Sequence, residues 1–278
     1  MRRLLSLILS CVFLFCLIAG TAAAAGEDAT IDEPAYTPIY VGDINADPNM
    51  LSFTLEDELY VPLETVSEAL GSSLYTWNSA LQSASLMADD LFLTVSSADE
   101  YIIANGRYLY MKNGLQMANG VPMIPMDQLC KAFGVEYTVN DSVVIEPDGT
   151  PIQSGEQDYN DEDLYWLSRI IYAEAGGESL EGMIAVGNVV LNRVEAEQFP
   201  DNIYDVIFDF DNGIQFSPAY YGSVYNTPSE DAVIAAKMAL DGTDVVGDSL
   251  YFNMYTITTW ASENREFLTQ IGCHNFYL

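Results

Sequence analysis

Histidine is almost missing from this chain: His274 is the only one in 278 residues. Basic residues are nearly as scarce, with 9 Lys and Arg against 41 Asp and Glu. There are 4 cysteines. Each shortage excludes something. A catalytic zinc site draws on several His, Cys or carboxylate ligands held close together, and one His with distant Cys cannot supply the usual set. A Cys–His nucleophile pair would need His274, which stands directly beside Cys273, and adjacent residues rarely align as nucleophile and base. Nucleic-acid binding needs clustered Lys and Arg to meet phosphates, so it is excluded, and adhesion to an anionic membrane is disfavoured for the same reason. Cys11 and Cys16 fall in an apolar N-terminal run, which leaves Cys130 and Cys273 in different segments. They read as two separate buried thiols and not as a disulfide framework.

What is present begins with a leader. Arg2 and Arg3 precede an apolar run from Leu4 to Ala19, and Ala22 to Ala25 offer small-residue cleavage sites. This is the layout of a secretory signal peptide over residues 1–25, with an uncleaved anchor as the alternative. The run is short for a membrane span, so no stable membrane insertion is expected after cleavage. Loss of the two leader arginines leaves 7 basic residues facing 41 acidic ones, a net of −34. Such acidity suits solubility outside the cell.

The stretch "EPDGTPIQSGEQDYND", Glu146 to Asp161, is rich in Gly, Pro, Ser, Gln and Asp and reads as a linker, placed at 148–160. Before it one pattern occurs twice. "LYVPLETVSEALGSSLYTW" starts at Leu59 and "PMIPMDQLCKAFGVEYTV" at Pro122, so that Pro62, Leu70 and Gly71 match Pro125, Phe133 and Gly134 at an offset of 63. Each copy predicts a short strand, a Pro at a helix start, a short helix closed by Gly, and a further strand. Between the copies, "ANG" predicts a tight turn between two strands. The segment 38–147 is therefore expected to be a small α+β module with an internal repeat. On the two "VPL/IPM…AL/AF-G" units it resembles the copper amine oxidase N-terminal-like domain. Copper is not expected: the segment has no His, and Met111, Met117, Met123 and Met126 fit core packing better than soft-metal ligation. It reads as a non-catalytic binding or spacing module.

The second domain is expected over 161–278. Its opening helix carries Leu164, Leu167, Ile171 and Glu174 at spacings of 3, 4 and 3, which puts all four on one face. Glu174 thus continues an apolar stripe, and Gly176 and Gly177 end the helix behind it. Desolvation and the negative end of the helix dipole both raise a carboxylate's pKa. A Glu kept protonated near neutral pH is what a general acid requires. A salt-bridged or capping Glu is the other reading, with Arg169, Arg193, Lys237 and Arg265 as the few possible partners in this segment.

A second helix, Ser179 to Val194, is apolar nearly all round and predicts a central position. Asn188 and Asn192 share one of its faces, and Gly182 and Gly187 permit close contact. "TPSE", Thr227 to Glu230, reads as a capping box opening a third helix that ends at Gly242. "SLYFNM" from Ser249 reads as a strand. "DFDNG", Asp209 to Gly213, lacks the ligands of a calcium loop and reads as a turn. A compact, mostly helical α+β domain follows, so the fold class of the whole chain is α+β.

The motifs "IIYAEAGGES", "AVGNVVLNRV", "IQFSP", "SLYFNM" and "IGCHNFY" occur here in the order found in cell wall hydrolases typified by the spore-cortex-lytic enzyme, and 163–278 resembles that family. The resemblance implies a lysozyme-like fold, peptidoglycan glycan strands as the partner, and lytic transglycosylase or muramidase-like activity with no cofactor and no metal. It places the catalytic acid at Glu174. A hydrolase needs two carboxyl groups flanking the bond, whereas a transglycosylase can use one twice. Glu178 then reads as a residue that braces the catalytic acid's surroundings or orders the loop beside it. Gln215, Ser217, Tyr251 and Asn253 are candidate hydrogen-bond partners of the sugar, Phe216 or Tyr251 either stacks on its ring or belongs to the core, and Asn192 and His274 are supporting residues. A non-catalytic peptidoglycan-binding protein on the same fold is the alternative.

Overall fold

A computed structural model describes residues 35–278 except 37, 48–50, 156–158 and 211–212. The expected leader lies outside the described residues, as does part of the turn expected at Asp209 to Gly213. The architecture is α+β, with a β-rich N-terminal region and a helical C-terminal one.

Two antiparallel strands, Glu58–Pro62 and Val121–Pro125, pair at the centre of a five-stranded sheet, with Ile124 opposite Val61. Each runs directly into a helix: α1, Leu63–Ala69, and α2, Met126–Phe133. Pro62 and Pro125 sit at the junctions as N-caps, with φ of −61° and −58°. That angle, fixed by the ring, serves both the end of a strand and the entry to a helix. Gly134 closes α2 with φ +67° in the left-handed conformation.

A second sheet is a meander of the strands Leu74–Asn78, Ser83–Ala88, Leu91–Ser96, Tyr101–Ala104 and Arg107–Tyr110. The last two are joined by Asn105 and Gly106, both at positive φ (49° and 81°), as the "ANG" turn predicts. One face of this meander, carrying Leu86, Leu93 and Ile102, is fully buried against the helices α1 and α2.

The C-terminal region is built on three helices packed on one another: α3, Asp161–Ala175, α4, Leu180–Glu195, and α7, Glu230–Leu240. Asn160 caps α3 by accepting from the amides of Glu162 and Asp163, and three acids in its first turn meet the positive end of the helix. α4 is buried from Gly182 to Val190, as its all-round apolar sequence predicts. Short helices α5, Ile203–Ile207, and α6, Ser217–Tyr221, lie between α4 and α7 in the chain. A three-stranded sheet closes the region: Tyr251–Met254 and Phe267–Ile271 flank His274–Tyr277, with α8, Trp260–Asn264, before the second of these. α7 begins later than the TPSE pattern suggests. Ser229 is the cap, accepting from the Ala232 amide at 3.2 Å, so Glu230 opens the helix and Pro228 stays outside it.

The segment expected as a linker is laid down on the protein instead. The Ile152 amide donates to the Ala132 carbonyl (3.1 Å), Asn105 donates to the Ile152 carbonyl (2.9 Å), and Arg107 donates to the Gln153 carbonyl (3.0 Å). Arg107 also pairs with Asp241 just past α7, and the Tyr159 hydroxyl donates to the other oxygen of that carboxylate at 2.6 Å. Tyr110, Tyr101 and Tyr108 of the meander join the apolar cluster of α3, α4 and α7. A polar, Gly- and Pro-rich composition signals the lack of helix or strand; it does not say whether the backbone finds partners.

Gly187 explains how the three helices come so close. A Cβ there would stand 3.0 Å from Ile171 Cδ1 on α3 and 3.2 Å from Ala239 Cβ on α7. Alanine adds helix propensity that offsets part of such a clash, so the informative substitution is the β-branched one. Gly187→Val is expected to cost about 1–3 kcal/mol by overpacking, read as a lower urea midpoint. An unchanged midpoint would show that the helices are not in tight contact at this residue.

Candidate active site

Glu174 stands in the last turn of α3, on the stripe whose members Leu167 and Ile171 are fully buried. Its carboxyl is pushed up to about 7, chiefly by desolvation, with the Arg193 guanidinium pulling the other way. The turn behind it differs from expectation in one respect. Gly176 is right-handed, with φ −64°, so no left-handed cap is needed. Glycine is needed there because a Cβ would lie 2.8 Å from the Tyr172 ring.

Arg193 is a counterpart to Glu174 that periodicity could have revealed. Val186, Val190 and Arg193 are spaced 4 and 3 apart on α4, so a cation continues an apolar stripe just as the anion does on α3. Arg193 is 4 % exposed. Its Nε donates to the Leu250 carbonyl at 2.8 Å, and its guanidinium carbon stands over the rings of Phe199 (4.9 Å), Phe216 (5.1 Å) and Tyr251 (5.6 Å). Its Nη1 is buried and has no hydrogen-bond partner among the described residues. Burial lowers its pKa to about 10, with Tyr251, Asp209 and Glu174 acting to raise it.

From Arg193 an open groove of about 780 Å³ extends, walled by Phe199, Gln215, Tyr251, Trp260 and Arg265 among others. Arg265 lies 4.8 Å from the Tyr251 ring and 5.0 Å from the Trp260 ring and donates to the Tyr251 hydroxyl at 3.1 Å. Trp260 is 58 % exposed, a large flat ring presented to solvent. Nothing in the sequence pattern singled out Phe199 or Trp260, and Arg265 stood out only as one of four possible partners of Glu174, because groove-wall residues on loops and short helices follow no period.

The expected site residues divide into three groups. Gln215 and Tyr251 do line the groove. Glu178, Asn192, Asn253 and His274 support it. The Glu178 carboxylate accepts from the Cys273 amide at 2.9 Å and lies so close to Gly272 that a Cβ there would be 2.1 Å from it. It thereby ties the start of α4 to the turn that carries His274. Asn192 donates to the carbonyls of Gly247 (2.6 Å) and Ser249 (3.0 Å), and Asn253 to those of Met254 (2.8 Å) and Ile257 (2.6 Å). His274 is buried edge-on to Phe252 at 5.4 Å, and its pKa is lowered by desolvation, partly opposed by Glu178. The last group is Phe216 and Ser217. Phe216 is 1 % exposed, which decides between its two open readings: its ring is core and not a stacking surface. Ser217 is a correction, since it is exposed at the start of α6 and does not line the groove. A second correction concerns Cys273, which is exposed rather than buried; Cys130 is buried as expected, and both are free.

Residues 177–277 match the Cell Wall Hydrolase family, and residues 40–145 match the Copper amine oxidase N-terminal domain. Glu174 lies just before the first of these spans. The spore cortex-lytic enzyme of Halalkalibacterium halodurans is 38 % identical over 119 residues, which cover 42 % of this chain and 35 % of that protein. That of Oceanobacillus iheyensis is 36 % identical over 129 residues, 46 % of each chain. This chain thus spans about a third to a half of the curated relatives it matches. Among solved structures, the catalytic domain of the germination-specific lytic transglycosylase SleB from Bacillus anthracis aligns at 32 % identity over 44 % of this chain and 98 % of that one, with a TM-score of 0.40. The second family's name carries a metal that the residues here do not fit. Residues 40–145 contain no His, Met111, Met123 and Met126 are fully buried in two different apolar clusters, and Met117 is exposed.

Glu174 links the site to stability. Its pKa is higher folded than unfolded, so the folded state holds the proton longer. The stability it contributes is complete below about 4.5 and is lost as pH rises through about 7, a change of about 3 kcal/mol from a shift of this size. Glu174→Gln removes that loss. The variant should therefore match the parent near pH 4.5 and exceed it by about 3 kcal/mol at pH 8 in urea denaturation. Glu58 and Glu100, raised by burial as well, are common to both proteins and cancel in the difference. Equal stabilities at pH 8 would show that Glu174 is not desolvated.

Proposed function

In this chain a cell wall hydrolase domain follows a copper amine oxidase N-terminal domain, and we propose that it is a secreted enzyme that cleaves peptidoglycan glycan strands as a lytic transglycosylase, with Glu174 as the one catalytic carboxyl. The observation that carries the reading is a half-buried carboxyl with a pKa of about 7 that feels the charge of Arg193, the residue at the head of a groove large enough for sugar rings. The relatives named as spore cortex-lytic enzymes support the substrate class.

The protonated Glu174 donates to the glycosidic oxygen. The bond from C1 of the muramic sugar breaks, its electrons pass to the leaving oxygen, and positive charge develops at C1. The carboxylate left behind then takes the proton of the same sugar's 6-hydroxyl as O6 bonds to C1. The product is a 1,6-anhydro end, and the enzyme returns to its protonated state with no water consumed. Arg193 makes this cycle workable. Its charge steadies the carboxylate between the two transfers, which keeps the pKa near 7 and not higher. Its free Nη1 is a donor for an acetamido carbonyl. Trp260 supplies the flat ring on which a pyranose packs, a part first expected of Phe216 or Tyr251. Glu178 is engaged with the Cys273 amide and serves as a positioning residue.

In the same reading, residues 161–278 are a lysozyme-like catalytic domain, 148–160 a strapped connector, and 38–147 a duplicated strand–proline–helix module that holds the enzyme on the wall. Residues 1–25 direct export. The matching geometry of the Pro62–α1 and Pro125–α2 junctions supports the duplication.

Glu174→Gln should lower solubilisation of purified peptidoglycan by roughly a hundredfold or more while remaining folded. Glu178→Gln should keep most of the activity. In the parent, rate should fall as pH rises above about 7, because the acid form of Glu174 is then depleted. Mass spectrometry of the products distinguishes chemistry: anhydro ends support a transglycosylase, reducing ends a hydrolase that activates water. Wild-type lysis by folded Glu174→Gln would remove Glu174 from the mechanism.

A further inference from the structure

The outer face of the meander sheet has a cavity that the active site does not use. The face opposite the buried one carries two cross-strand rows, fixed by register. One is Thr76–Ser85–Thr94–Ile103 and the other begins Asn78–Ser83–Ser96. Among the described residues, the hydroxyls of Thr76, Ser83, Ser85 and Thr94 find no hydrogen-bond partner. Together these rows floor a cavity of about 310 Å³ whose wall includes Tyr101. That size is at the lower end of ligand pockets.

The cavity has a definite boundary. Tyr101 is held edge-on to Tyr108 at 5.3 Å, and both rings pack into the cluster of α3, α4 and α7. Helix α7 thus covers the sheet at its Arg107–Tyr110 edge, and the three strands Leu74–Asn78, Ser83–Ala88 and Leu91–Ser96 stay open. A row of exposed apolar side chains, Leu74, Met87 and Phe92, continues the open face on the side away from Tyr101. The chemistry offered is neutral hydroxyls and an amide, a fixed aromatic wall and an apolar margin. The only charge in the lining is Asp99. Neither a cation nor a cluster of donors for phosphate or carboxylate is present, and the chain as a whole is strongly acidic. An anionic polymer is therefore repelled. A neutral polyhydroxylated chain fits on all counts: its hydroxyl and acetamido groups pair with the Ser, Thr and Asn side chains, and the apolar C–H face of a pyranose meets tyrosine and the apolar row.

We propose that the open face of this meander is a second glycan-binding site, which takes β-1,4-linked N-acetylated sugar chains and is separate from the cleavage groove. It rests on the reading of residues 38–147 as a wall-holding module and supplies the surface for it. Two contacts on one polymer raise the effective concentration of the second once the first is made, so retention on an insoluble strand exceeds either site alone.

The test is calorimetric titration of full-length Glu174→Gln, which cannot turn over, with an N-acetylglucosamine hexamer. Two sites are expected. Adding Ser83→Ala, Ser85→Ala and Thr94→Val should weaken one of them at least tenfold and leave the other, and should reduce pelleting with insoluble peptidoglycan. Adding Trp260→Ala instead should remove the other one. Amide shifts at Thr76, Ser85 and Thr94 in the unaltered face, measured during the same titration, keep the question answerable if the triple variant misfolds. Sugar-dependent shifts there support the site, and their absence overturns it. A single site lost with Trp260→Ala and untouched by the triple change also overturns the proposal. A single site lost with the triple change alone upholds it and overturns the groove reading instead.

Discussion

A carboxyl that must lose water to fold, and a guanidinium that must lose water beside it, set the terms for the C-terminal region. Neither charge is cheap to bury alone. A buried carboxylate drifts towards its neutral form, while a buried guanidinium keeps its charge and demands partners. Glu174 and Arg193 each continue the apolar stripe of a core helix, so packing α3 on α4 forces both towards the interior. The outcome is asymmetric. Arg193 is surrounded by three aromatic rings and one carbonyl, and Glu174 is left with a pKa near 7. Full ion pairing would have lowered that value below the usual carboxylate range, and full isolation would have raised it further. The intermediate result is the one an acid catalyst at neutral pH can use.

Helix α4 does more than supply the cation. Three of its polar side chains, Asn188, Asn192 and Arg193, reach the backbone between Thr243 and Leu250. Asn188 donates to the Thr243 carbonyl at 2.7 Å and accepts from the Val245 amide at 3.1 Å, and the other two take the carbonyls of Gly247, Ser249 and Leu250. A segment with no helix or strand of its own is thereby fixed by side chains from a rigid core helix. It leads straight into the strand Tyr251–Met254, which places Tyr251 in the groove wall. The Glu178 clasp on Gly272 and Cys273 does the same for the neighbouring strand. The groove is thus positioned by hydrogen bonds that begin on α4 and the turn before it, and a loss at any one of them would move the wall and not only loosen a loop.

Periodicity made the helices, the two strand–proline–helix junctions, the Asn105–Gly106 turn and the place of Glu174 readable from sequence, because each follows from a repeat of 2 or 3.6 residues or from a φ angle only a few residues accept. The same logic applied to α4 singles out Arg193 among the four cations expected as possible partners of Glu174. It could not have found Trp260 or Arg265, whose positions depend on how loops meet across a groove. It left Phe216 open between stacking and core because an aromatic beside a site looks alike whether its ring faces in or out; only the packing against Phe252 and Arg193 decides. The cap of α7 moved from Thr227 to Ser229 because two capping residues stand two apart and pattern alone does not rank them.

The largest difference between sequence and structure concerns the join. Composition at 148–160 suggested a linker, yet Asp241 gathers Arg107 from the meander and Tyr159 from the connector, while Lys237 lies 5.5 Å from the Tyr108 ring and 5.7 Å from the Tyr159 ring. These contacts bring together cations and acids that are rare partners in so acidic a chain. Each of the few basic residues therefore counts for more here than in a balanced surface, since repulsion among the remaining acids opposes every alternative docking. Fixing the meander against α7 has a geometric effect as well. It covers one edge of the outer sheet face, leaves the three strands from Leu74 to Ser96 open, and holds that face at a constant disposition to the groove. A rigid spacing between two polymer contacts raises effective concentration only when the polymer itself is extended and its repeat can match the span, which is a property of glycan strands and not of flexible peptides.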